Sequence, residues 1–161
     1  MCKISIKDNI VEIENRIDQA LKRADREDKV TLVAVSKTQP IEKIIEAMNS
    51  DLLDIGENKV QELIDKMAIL NDRPRYHMIG HLQTNKVKYI AERIHLIHSL
   101  DRMSLAAELD KRAKVINRSI DCLIQVNISK EETKFGLYKD DVIPFIEQVL
   151  ALSNINIKGL M

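Results

Sequence analysis

Tryptophan is absent from this 161-residue sequence, and aromatic residues make up only 3% of it. Proteins that grip single-stranded nucleic acid stack bases on aromatic side chains, so this composition argues against that class. Neither sign of charge is in excess, with 25 acidic and 25 basic residues. A general nucleic-acid or anionic-membrane binder carries a basic surplus. No apolar run approaches membrane-spanning length. The opening stretch, MCKISIKDNIVEIE, breaks its apolar residues with charges and has no signal-peptide core. Two cysteines, Cys2 and Cys122, are no disulfide framework. What remains is a soluble cytoplasmic protein, a single domain over residues 1–161, long enough to bury a real core.

Within that frame the chain alternates. Ser5 to Asp28 places Ile10, Ile13, Ile17, Leu21 and Ala24 at three- and four-residue steps, one face of an amphipathic helix. Six short apolar runs then read as strands: Val30–Ser36, Leu53–Ile55, Tyr76–Ile79, Ile94–His98, Ile120–Asn127 and Ile155–Leu160. Helical stripes lie between them: Ile41/Ile44/Ile45/Met48, Val60/Leu63/Ile64/Met67, a short one at Val87/Ile90, Met103/Ala106/Leu109/Ala113/Ile116, and Val142/Ile143/Ile146/Val149/Leu150. Pro144 is tolerable only in the first turn of the last of these. No hairpin signal separates the strands, and no repeat, linker or low-complexity segment interrupts them. The pattern predicts a parallel sheet with crossover helices and strands apolar on both faces. A doubly wound sheet and a (β/α) barrel both fit. The missing Gly-rich loop after the first strand weakens a dinucleotide fold. A full barrel needs eight strands and about 200 residues or more, whereas the sequence offers six.

In either architecture, functional residues sit at the carboxyl ends of the strands. Lys37, in TLVAVSKTQP, ends an apolar run and is expected to share a face with Val33 and Val35. Burial there would favour the neutral amine, which is what attack on an aldehyde needs, so Lys37 is a Schiff-base candidate. The competing reading is a strand-end lysine snorkelling to water. Asn58, in DIGENKVQE, either caps a helix or faces a ligand. His77 either packs in the core or contacts a ring or carboxylate. His81 falls in a loop without further ligands nearby, and His95 and His98, three apart on a strand, are expected to face opposite sides. No metal site is expected. Asn127 closes the fifth run, and Lys130, Glu131, Glu132 and Lys134 read as a solvated loop.

Taken in order, AVSKTQP, IGENKVQE, HMIGHLQTNK, IHSLDR, QVNISKEETKFG and IKGLM resemble the pyridoxal-phosphate homeostasis proteins (the YggS/PROSC family) over essentially the whole chain. The resemblance implies the fold of the alanine racemase N-terminal domain, a (β/α)8 TIM-type barrel, with about six of its eight strands present. It implies that Lys37 holds pyridoxal 5′-phosphate as a Schiff base. Asn58, His77, Ser99, Asn127 and Met161 would then line the cofactor pocket, with Lys134 as a secondary contact. The implied role is cofactor homeostasis and delivery, with PLP-dependent apo-enzymes as partners, no robust turnover, and a monomer when complete. The family continues past IKGLM into segments that grip the phosphate and face the pyridine nitrogen. The C-terminal part is therefore expected beyond residue 161. A racemase on the same fold is the alternative. It would need an acid–base tyrosine, and Tyr76, Tyr89 and Tyr138 match no such motif. A Schiff-base aldolase is the second alternative. A six-stranded sheet should also leave its first and last strands with unpaired edges.

Overall fold

The computed structural model describes residues 5–129, 131 and 133–161. Cys2, Lys130 and Glu132 lie outside the described residues. The first helix, α1, spans Ile6–Arg23 and begins with a reciprocal cap. The Ser5 hydroxyl accepts from the Asp8 N–H at 3.1 Å, and the Asp8 carboxylate accepts from the Ser5 N–H at 3.3 Å. Of its apolar stripe, only Ile10 is buried.

Six strands follow: β1 (Ala34–Val35), β2 (Asp54–Glu57), β3 (Arg75–Met78), β4 (Ile94–Leu100), β5 (Ile120–Ile124) and β6 (Ile155–Leu160). Helices α2 (Ile41–Met48), α3 (Val60–Leu70), α4 (Met103–Val115) and α5 (Val142–Val149) connect them, with 3₁₀ turns at Thr84–Tyr89 and Lys139–Asp141. Pro144 is the third residue of α5, in the first turn, where no intrahelical hydrogen bond is lost. Every strand pair is parallel and the spatial order follows the sequence, β1-β2-β3-β4-β5-β6. This is the order of a β/α barrel; a doubly wound sheet reverses direction at a switch point.

Two expectations need correction. The first strand is not the seven-residue run from Val30 to Ser36. Only Ala34 and Val35 pair, because β1 has a neighbour on one side alone. Nor are the strands apolar on both faces. The helix-side face carries Tyr76, Met78, Ile94, Ile97, Leu100, Ile120, Cys122 and Ile124, packed on Leu63, Met67, Leu105, Leu109 and Phe145. The concave face carries Asp54, His77, His95, His98, Asp121, Asn156 and Lys158.

Strand β4 shows how a three-residue step arises in a strand. Tyr76 pairs with Ile94 but His77 with Leu96, so His95 is an extra residue opposite β3. Ile97 pairs with Cys122 but Leu100 with Ile124, which inserts another opposite β5. Bulges of this kind re-aim side chains. Ile94, Ile97 and Leu100 all reach the helix layer, where each is fully buried. His95 and His98 are left together on the concave face, where both rings pack on His77 at 5.2 Å. The expectation that they face opposite sides assumed an unbroken pleat.

Strands β1 and β6 do not pair with each other, and Leu160 on β6 is exposed. Unpaired apolar edges recruit other strands. Residues 1–161 expressed alone are expected to elute from gel filtration at an apparent mass that rises with concentration. A sharp monomer peak at every loading would contradict this.

Candidate functional site

The strand register aligns one row of residues across the carboxyl end of the sheet. Val35 lies opposite Gly56, so Lys37 stands level with Asn58. Glu57 lies opposite Met78, so Asn58 stands level with Ile79. Met78 lies opposite Ile97, so Ile79 stands level with His98. Lys37, Asn58, Ile79 and His98 thus form the rim.

The backbone around Lys37 is held on both sides. The buried Ser36 donates its N–H to the Gly56 carbonyl at 3.0 Å and its hydroxyl to Glu57 Oε1 at 2.5 Å. Lys66, buried on α3, donates to the Ser36 carbonyl at 2.7 Å and pairs with the Glu57 carboxylate. After Lys37, Thr38 adopts a left-handed φ of 61°. For a β-branched residue this is a strained conformation. The Glu62 carboxylate, which accepts from the Thr38 N–H at 3.0 Å, holds it in place. The Lys37 side chain itself is exposed. The apolar walls expected around its amine are not there, because Val35 is itself half exposed at the sheet edge.

Asn58 is half-buried and is not the cap of α3. That position is Lys59, whose side chain makes no cap hydrogen bond. The Asn58 amide has no hydrogen-bond partner among the described residues, and its backbone fits tightly under Gly80. A Cβ on Gly80 would lie 2.3 Å from the Asn58 carbonyl oxygen. Gly80→Ala should therefore destabilise the fold by about 3 kcal/mol, read by denaturant unfolding, since the obstacle is backbone and cannot rotate away. A loss below about 1 kcal/mol would refute the close approach.

His77 sits one step below the rim, almost fully buried, with both ring nitrogens engaged. Nε2 lies 2.9 Å from Asp54 Oδ1, and Nδ1 lies 2.9 Å from His98 Nε2. Ser99 is fully buried, and its hydroxyl has no partner among the described residues. Asn127 organises the loop after β5. It donates to the carbonyls of Glu131 (2.9 Å) and Lys134 (3.2 Å) and accepts from Ser129 (3.2 Å). Lys134 is exposed and paired with Glu131 at 2.6 Å. In the same loop Phe135 stacks on His81, centroids 3.8 Å apart, tying it to the segment after β3. Met161 continues the β5–β6 pairing through its backbone. Its N–H donates to Ile124 and its carbonyl accepts from Val126, each at 2.8 Å. Lys37 and Asn58 are therefore brought together on the rim, with Asn127 and Met161 following the neighbouring ends of β5 and β6. His77 lies deeper and Ser99 is closed off from the surface.

Of the concave histidines, His77 was a candidate from the sequence, whereas His95 and His98 were missed. The signal was present in the apolar step Ile94–Ile97–Leu100, which no regular strand produces. Asp54 anchors them. Burial pushes its carboxyl up, but hydrogen bonds from Arg75 and His77 outweigh this and hold it below the usual carboxylate range. Burial lowers His77 despite Asp54, and burial with the neighbouring His77 lowers His98 to about 4. The unfolded chain therefore takes up protons at these histidines near pH 6.5, before the folded one does. Stability should fall as pH drops from about 6.5 toward 4, then fall further as Asp54 protonates. Chemical denaturation across that range checks the slope. A shallower slope in His98→Gln than in the parent would assign the difference to His98. Asp54, His77 and His95 bring ligand atoms within 4.8 Å of one another. Arg75 already donates to both Asp54 oxygens, at 2.7 and 2.5 Å, so a metal there would compete with this pair.

The alanine racemase N-terminal domain family matches residues 9–161. The pyridoxal phosphate homeostasis protein of Aquifex aeolicus is 46% identical over 148 residues, 91% of this chain and 65% of that protein. The protein of the same name from Pasteurella multocida is 35% identical, over 98% of this chain and 70% of its own length. PipY of Synechococcus elongatus, solved with PLP bound, superposes with a TM-score of 0.76 at 35% identity, over 89% of this chain and 67% of PipY. The chain thus spans about two thirds of the length of these relatives. A parallel sheet in sequential order, a lysine at the end of its first strand and these similarities agree: the chain belongs to the alanine racemase N-terminal domain family and, within it, to the pyridoxal phosphate homeostasis proteins.

Proposed function

We propose that this protein holds pyridoxal 5′-phosphate reversibly through a Schiff base to Lys37 and serves cofactor homeostasis, releasing the cofactor to PLP-dependent apo-enzymes. The observation that carries the reading is the placement of Lys37: an exposed amine on a backbone fixed by Ser36 and Thr38, on a rim shared with Asn58 and His98. The names of the relatives and the PLP-bound structure of PipY support it. The cofactor would supply an aldehyde carbon that condenses with the Lys37 amine, losing one water. The protein's share is to present that amine in a set direction. The unpartnered Asn58 amide is free to orient the ring, and Met161 and the Asn127 loop would bound the far side. His77 acts at one remove, by holding His98. The chain acts as a single domain, and as a monomer.

The racemase alternative is disfavoured by the tyrosines. Tyr76 is buried on the helix side, its hydroxyl donating to the Asn71 carbonyl at 2.5 Å. Tyr89 ends one 3₁₀ turn and Tyr138 precedes the other, both exposed and neither in a hydrogen bond to a rim residue among the described residues. Borohydride reduction of cofactor-loaded protein, followed by peptide mapping, tests the proposal. Label on Lys37 is expected; label confined to Lys134 with Lys37 unmodified would overturn it. Reduction of protein that carries no label at all would favour the cofactor-free aldolase.

A further inference from the structure

We infer that Asp54, His77 and His98 form a hydrogen-bonded relay that fixes the Nε2–H tautomer of His98 and turns its Nδ1 lone pair toward the rim, as an acceptor for a hydrogen-bond donor of the ligand held at Lys37. The inference rests on the cofactor-binding reading for its ligand, but the relay stands on geometry alone.

Each link fixes the next. Arg75 donates to both oxygens of Asp54, so that carboxylate is ionised and anchored. It can only accept from His77 Nε2 at 2.9 Å, which places the His77 proton on Nε2. His77 Nδ1 is then a lone pair, and the nitrogen 2.9 Å away on His98 must carry the proton that fills it. A neutral His98 with its proton on Nε2 has a bare Nδ1. The two ring nitrogens point in diverging directions, so the bare one faces away from His77. His98 is only partly buried, and the register puts it level with Ile79, Asn58 and Lys37.

The groups that face His98 are His77 and, beyond it, Asp54, Arg75 and His95. Burial and His77 keep the ring neutral down to about pH 4. It is therefore a poor proton acceptor but a constant hydrogen-bond acceptor at neutral pH, which makes it a binding residue. Asp54 and His77 act through it as positioning residues. The bulge of β4 between Ile94 and Leu96 is what brings His98 to the same face as His95. A metal ion on Asp54, His77 and His95 would compete with this reading and would have to displace Arg75 first.

Long-range ¹⁵N–¹H correlation spectra of the ligand-free chain at pH 7 test the relay without any ligand. His98 is expected as the Nε2–H tautomer, and a mixture is expected in Asp54→Asn. A Nδ1–H tautomer in the parent, or zinc binding at one ion per chain with loss of the Arg75 pair, would overturn it. For the ligand contact, His98→Phe should weaken pyridoxal phosphate binding roughly tenfold, while His98→Gln, whose amide oxygen can accept, stays within a factor of about three. Adding pyridoxal phosphate should also move the parent His98 Nδ1 resonance. Equal affinity in the parent and in a folded His98→Phe overturns the contact and leaves the proposed function standing. A parent that binds no pyridoxal phosphate removes the proposed function, and with it the contact, while the tautomer still decides the relay.

Discussion

Lys37→Ala is expected to abolish covalent retention of pyridoxal phosphate: no borohydride-trappable label and no visible absorbance after dialysis. The effect should be complete because, among the described rim residues Lys37, Asn58, Ile79 and His98, Lys37 alone carries an amine able to bond the aldehyde carbon. Lys134→Ala is the control. Its amine is exposed and held in an ion pair with Glu131, so its loss should leave most of the label in place. Lys37→Arg keeps the charge but not the nucleophile and should behave like Lys37→Ala. The stability of all three should match the parent within about 0.5 kcal/mol, since an exposed side chain is being changed. Full labelling in Lys37→Ala would end the Schiff-base proposal.

Lys66→Met should produce the largest loss of stability. Lys66 and Glu57 are both buried, Glu57 completely. Removing one partner of a buried ion pair strands the other charge and costs about 3–5 kcal/mol, against a typical total of about 5–15. The double variant Lys66→Met with Glu57→Gln should recover part of the loss, because it removes the stranded charge. If the single variant unfolds with the parent's midpoint, the pair is not what holds this corner. The substitution also frees the Ser36 carbonyl, the peptide just before Lys37. Cofactor affinity should therefore fall even in molecules that remain folded.

The helix stripes and the last strand were legible because their periodicity is local: α2, α3, α4 and β6 begin and end within a few residues of where the apolar pattern does. The first strand was over-read because Val30–Val33 is apolar but has no pairing neighbour. Apolarity reports burial, whereas a ladder needs a partner. The pairing of His95 with His98 was invisible for the opposite reason. Their common face depends on the bulge between Ile94 and Leu96, and a bulge is set by the strands beside β4. Lys37 and Asn58 could be placed from sequence alone because each lies within two residues of a strand end. The relay through Asp54 and His77 could not, since it joins residues 21 and 23 positions apart.

The concave face behaves as a solvent whose molecules cannot turn. Asp54, Arg75, His77 and His98 form a string of oriented dipoles, each fixed by its neighbour. Water around an amine that gains or loses charge must reorganise, and that reorganisation is part of any barrier. A face already aligned has little to rearrange. If cofactor is held at Lys37 as proposed, its exchange should therefore respond to substitutions three strands away.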